Sequence, residues 1–124
     1  MAKNHIQRGS TITVVAPADV LSGGGVLVGD IFGVAQHDAL SGAPVEIKVD
    51  EVWELAKTSA QAWASVGLPI YWDASGKVVT TTASTNKLIG VNLAVAANPS
   101  DTGIVRLNGI FAAPSAAQMD AGDA

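Results

Sequence analysis

Val45-Glu46-Ile47-Lys48-Val49-Asp50-Glu51-Val52-Trp53-Glu54-Leu55 is the stretch whose reading decides the fold. Val45, Ile47, Val49, Trp53 and Leu55 share one parity, while Glu46, Lys48, Asp50 and Glu54 occupy the other. Successive side chains of a strand point to opposite faces, so this spacing predicts a strand with one dry face and one wet face. Glu51 falls on the apolar parity. It predicts a bulge near Asp50-Glu51, or else a carboxylate turned toward a subunit contact, and the bulge is the simpler reading.

The same period continues on both sides. Thr11-Ile12-Thr13-Val14 alternates, and Val26-Leu27-Val28 and Ile31-Phe32-Gly33-Val34-Ala35 flank Gly29-Asp30 as a hairpin would. Further on, Ile70-Tyr71-Trp72 and Val78-Val79-Thr80-Thr81-Thr82 flank the turn residues Asp73-Ala74-Ser75-Gly76. Lys87 to Ala96 and Gly103 to Asn108 supply two more strands, joined at Asn98-Pro99-Ser100-Asp101. Between them, Thr58 to Ser65 offers an N-cap, helix formers and a closing Gly67, which predicts one or two helical turns. The fold class is therefore all-β, a compact small β-barrel or sandwich of about eight short strands with at most one short helix. An extended N-terminal arm (1–10) precedes the β-domain (11–110), and an aperiodic, alanine-rich C-terminal tail (111–124) follows it.

The 124 residues suffice for one core. Hydrophobic residues make up 48% and charged residues 15%, which excludes general disorder and leaves apolar surface for a partner to cover. With few aromatics, packing falls to Val, Ile, Leu and Ala, with Trp53 and Trp72 on the dry faces of their strands. The net charge of −4 and the absence of a basic stripe speak against nucleic acid as a partner. There are no cysteines, so a disulfide framework, a thiol nucleophile and Cys-ligated metal are excluded. Met1-Ala2-Lys3-Asn4-His5 leads into no apolar h-region, and the run Leu88 to Ala97, broken by Asn92, is too short to span a bilayer. The expectation is a soluble protein made in the cytoplasm, with no membrane partner.

Chemistry-bearing motifs are weak. His37-Asp38 lacks a third ligand or a paired nucleophile, and the other histidine, His5, lies in the arm. A hydrolase built on Asp38 with His37, or on Asp50, Glu51 and Glu54, is disfavoured because adjacent strand residues diverge. Ser22-Gly23-Gly24-Gly25 has neither a Gly-Lys-Ser/Thr ending nor a following helix, and Asp73-Ala74-Ser75-Gly76 lacks the ligands of a calcium loop. No enzyme activity, cofactor, metal or small-molecule substrate is expected.

Several stretches, in order and spacing, resemble the phage capsid cement family, the small head-decoration proteins of tailed phages and prophages. They are the start Met1 to Gly9, the block Gly25 to Ala35, Val52-Trp53-Glu54-Leu55-Ala56-Lys57, Ile70-Tyr71-Trp72-Asp73, Leu88-Ile89-Gly90-Val91 and Val105-Arg106-Leu107-Asn108-Gly109. Two features depart from the family pattern: Leu68-Pro69 before the Tyr-Trp strand, and the length of the tail after Gly109. The resemblance implies a β-rich subunit, often a homotrimer, that binds the major capsid protein on the outer surface of an icosahedral phage head after synthesis in the host cytoplasm. An extended arm can add a strand to an exposed sheet edge, so Lys3, Asn4, His5, Ile6, Gln7 and Arg8 are the candidate capsid-contact residues. A head-fibre base or tail-associated β-module is the alternative virion role.

Overall fold

A computed structural model describes residues 3–109 and 113–114. Two antiparallel sheets account for its regular structure. The first contains β1 (Thr11–Val15), β2 (Gly25–Val28), β3 (Ile31–Ala35) and β4 (Pro44–Lys48), in the order β1-β4-β3-β2. The expected hairpin is present: Val28 pairs with Ile31 across Gly29-Asp30, and Gly29 takes φ 59°, a left-handed angle that suits glycine in a two-residue turn.

The second sheet contains β5 (Val52–Ala56), β6 (Pro69–Asp73), β7 (Val78–Thr80), β8 (Lys87–Asn92) and β9 (Thr102–Leu107), in the order β5-β9-β8-β6-β7. A two-residue β10 (Ala113–Pro114) pairs with β8 at Leu88 and Lys87. The β6–β7 hairpin closes as its turn residues predict, with Asp73 Oδ1 accepting from the backbone N–H groups of Ser75 (3.0 Å) and Gly76 (3.2 Å). The edge strands β5 and β7 approach through a single parallel bridge, Lys57 to Val79, so the sheet is strongly curled, but no closing ladder forms. Apart from β10, the expected C-terminal tail lies outside the described residues.

Two expectations are corrected. The stretch 45–55 is not one bulged strand. It is β4 and β5, which belong to different sheets. Glu51 marks the switch with φ 75°, a backbone reversal that an L-residue adopts only when surrounding contacts hold it. Lys48 Nζ lies 3.4 Å from the Glu51 carboxylate, and the Trp53 indole donates to the Asp50 carbonyl at 2.8 Å. The alternation is real in each half, but parity says nothing about which sheet a half joins. Trp53 is accordingly half-buried against the core, whereas Trp72 is buried as expected.

The helix expected over 58–67 is absent among the described residues, and the segment runs as an irregular strap. Trp63 exchanges both backbone hydrogen bonds with Ala96 (2.9 and 3.0 Å), which commits its amide and carbonyl to a partner distant in sequence. Gln61 Oε1 accepts from the Thr81 N–H (2.8 Å) and the Trp63 indole (3.0 Å), tying the strap to the end of β7. A helix this short gains few internal bonds after its nucleation cost, so these tertiary bonds and the complete burial of Trp63 prevail.

The core has two parts. Leu55, Trp63, Ile70, Trp72, Val79, Ile89, Val105 and Leu107 fill the concave side of the second sheet. Phe32 and Val34 of β3 cover them, with the Phe32 and Trp72 rings 4.9 Å apart. The opposite parity of the first sheet, Val26, Ala35, Val45 and Ile47, buries a separate cluster with Ala16. Strand β3 thus contributes to both, which explains why four of its five residues are buried.

Candidate functional site

The residues weighed for chemistry do not converge. His37 Nε2 accepts from the Glu46 N–H (3.2 Å), so its ring supports a strand end. Glu51 pairs with Lys48, and Glu54 accepts from the Thr102 hydroxyl at 3.3 Å. No group of three or more His, Cys, Asp or Glu able to hold a metal ion occurs among the described residues. Lys57, a buried cation, is spent structurally: its Nζ donates to the carbonyls of Thr58 (2.8 Å), Gln61 and Ser100 (3.4 Å), and it lies 5.7 Å from the Trp63 ring centroid.

What the structure does assemble is a symmetrical loop pair at one end of the first sheet. Asp19-Val20-Leu21-Ser22-Gly23 follows β1, and Asp38-Ala39-Leu40-Ser41-Gly42 follows β3, at a constant offset of 19 residues. Ile12, Val15, Ala16 and Val26 recur at the same offset as Ile31, Val34, Ala35 and Val45, so the first sheet is an internal duplication. Val20 and Ala39 exchange both backbone bonds, each 2.9 Å. The caps are reciprocal: the Ser22 N–H donates to Asp38 Oδ1 (2.7 Å) and the Ser41 N–H to Asp19 Oδ1 (2.8 Å). Gly23 and Gly42 both take φ 88°. A local twofold axis therefore passes through the Val20–Ala39 bridge.

This clasp is apolar and acidic at once. Leu21 is 73% and Leu40 71% exposed, and the two line the same hollow, so they form one apolar patch rather than scattered single residues. A hollow of about 390 Å³ lies on the local axis, lined by Asp19, Val20, Leu21, Asp38, Ala39 and Leu40. A second, of about 380 Å³, adjoins it on the side of Gly25 and Trp72. From Gly9 to Ile47 the chain carries Asp19, Asp30, Asp38 and Glu46 and neither Lys nor Arg.

The candidate contact residues lie elsewhere. Lys3, Asn4, His5, Ile6, Gln7 and Arg8 precede β1 and are all exposed, Ile6 at 90%. Among the described residues the arm is anchored at its base, where the Ser10 carbonyl accepts from the Val49 N–H at 3.0 Å. Met1 and Ala2 fall outside the described residues. The arm and the clasp thus sit at opposite ends of β1, and the structure does not bring them together within one chain. Reasoning from alternation alone missed the clasp. The signal is the repeated Asp-x-Leu-Ser-Gly pentapeptide, which has no period of two and so escapes a reading built on alternation.

A protein-family model described as Phage cement protein matches residues 6–107. No curated protein and no solved structure matches.

Proposed function

This chain belongs to the phage cement protein family, and from that premise we propose that it is a capsid decoration subunit. It binds the outer surface of an icosahedral phage head, contacts the major capsid protein, and stabilises the shell without chemistry. The observation that carries this reading is the family match, which extends over residues 6–107 and so includes β1 to β9 and the second half of the arm, from Ile6. The exposed Lys3, Asn4, His5, Ile6, Gln7 and Arg8 are its contact segment on the shell, and the β-domain of 11–110 is the body that the arm tethers. The subunits sit as homotrimers.

Mass action explains how such a protein strengthens a shell. A ligand that binds the assembled lattice and not dissociated coat subunits stabilises the lattice by RT ln(1 + [L]/Kd), about 2.7 kcal/mol per copy at one hundred times Kd. Many copies on one particle act together. Calorimetric melting of undecorated shells, with and without added protein, tests this. The coat transition rises with occupancy if the reading is right, and a transition indifferent to occupancy overturns it. The rise persists at high salt, because a weakly charged chain rich in aliphatic surface binds mainly by apolar burial and strand pairing.

A further inference from the structure

We propose that the arm of one subunit seats in the Leu21/Leu40 clasp of a second copy, with Ile6 as its anchor. This rests on the cement reading above and adds, beside the coat protein, a second copy of this chain to what the arm meets on the shell.

Complementarity is the first argument. Among its described residues the arm presents one large apolar side chain, Ile6, between two cations, Lys3 and Arg8, and the arm has no acid. The clasp presents an apolar hollow lined by two carboxylates, Asp19 and Asp38, and by no cation, Lys77 lying on the wall of the adjoining hollow. The carboxylates disfavour the other symmetrical solution, in which two clasps meet face to face, because that contact would oppose like charges. Burial of Ile6 between the leucines supplies attraction, and the charges select the partner.

Geometry makes the contact intermolecular. The arm leaves β1 at Thr11, and the clasp begins beyond Val15, about 17 Å away along the strand. To reach its own clasp the arm would have to reverse and run back along β1, yet residues 3–9 are all exposed and β1 has only β4 as a sheet neighbour. Arm-to-clasp contact is heterologous, since it joins two different patches, and it closes into a ring when the rotation between copies is a whole fraction of a turn. A ring of three agrees with the proposed homotrimer.

The chain has no cysteine, which permits a direct test. A chain carrying Ile6→Cys is mixed with one carrying Leu40→Cys, both free in solution and on undecorated shells, and oxidised gently. The two chains carry different affinity tags, so the expected product is the disulfide-linked pair that bears both tags, distinct from either homodimer. The doubly tagged pair is absent when Val66→Cys, also exposed, replaces Leu40→Cys. Adding Lys3→Glu and Arg8→Glu to the arm lowers its yield about tenfold, as the loss of two exposed attractive pairs predicts. These arm changes leave the β-domain untouched. Decorated shells without the mixed disulfide would overturn the arm-to-clasp contact and leave the cement reading intact. A fast-migrating monomer from the Ile6→Cys, Leu40→Cys double variant would also overturn it, by placing the arm in its own clasp. Failure of the unaltered chain to bind shells would instead overturn the cement reading itself.

Discussion

Gly103 of β9 faces the six-membered ring of Trp63 so closely that a Cβ there would lie 2.3 Å from Cζ3 and 2.5 Å from Cη2. The indole is 0% exposed and donates to Gln61 Oε1, so it has no alternative position to retreat to. The absence of a side chain on β9 is what lets the strap carrying Trp63 close over the second sheet.

Gly103→Ala therefore overpacks this contact and should cost about 1–3 kcal/mol. Urea denaturation followed by tryptophan fluorescence measures it. A variant as stable as the parent would show that the strap shifts freely, contrary to its backbone pairing with Ala96.

Asn92 governs the next turn of the strap. Wholly buried, it accepts the Leu68 N–H at Oδ1 (2.7 Å) and donates from Nδ2 to the carbonyls of Ser65 (2.7 Å) and Ala94 (3.0 Å). Asn92→Leu keeps the branching but enlarges the side chain and strands three backbone groups, each costing about 1–3 kcal/mol when buried without a partner. The expected outcome is a loss of about 3–5 kcal/mol and faster hydrogen exchange at the Leu68 amide.

Lys57→Met tests whether the carbonyl cage outweighs the cost of burying the ammonium. Bonds to a charged donor are worth about 1.5–3 kcal/mol each, and three carbonyls lose theirs, so a net loss of about 2–4 kcal/mol is expected. A thermal melt that rises on substitution would show that desolvation of the cation dominates.

Deleting residues 1–9 should change domain stability by no more than about 0.5 kcal/mol, since those removed from the described arm are all exposed and Ser10 keeps its bond to Val49. Shell attachment should weaken. Sedimentation of shells with limiting full-length or shortened protein reads the difference, and equal occupancy would remove the arm from the contact.

How much of this was legible beforehand differs from element to element. The hairpins at Gly29-Asp30 and at Asp73 to Gly76 were readable because turn chemistry is local: a left-handed glycine in one, an aspartate capping its own loop in the other. The alternation of Val45 to Leu55 was equally readable, yet its division between sheets was not, because both halves satisfy the same parity and only the backbone reversal at Glu51 separates them. The strap over 58–67 misled because its composition favours a helix, while Ala96, Thr81 and Asn92, all distant in sequence, hold it open.

The sequence by itself determined that the chain is all-β and that a pentapeptide recurs after 19 residues. Only the tertiary structure decided that the two copies of that pentapeptide face each other, because a repeat states equivalence and not contact. Contact arises when β1 pairs with β4 and β2 with β3, which brings Asp19 onto the amide of Ser41 and Asp38 onto that of Ser22. Once each loop caps the other, Leu21 and Leu40 are left facing outward, since the inward positions are already taken by Val20 and Ala39.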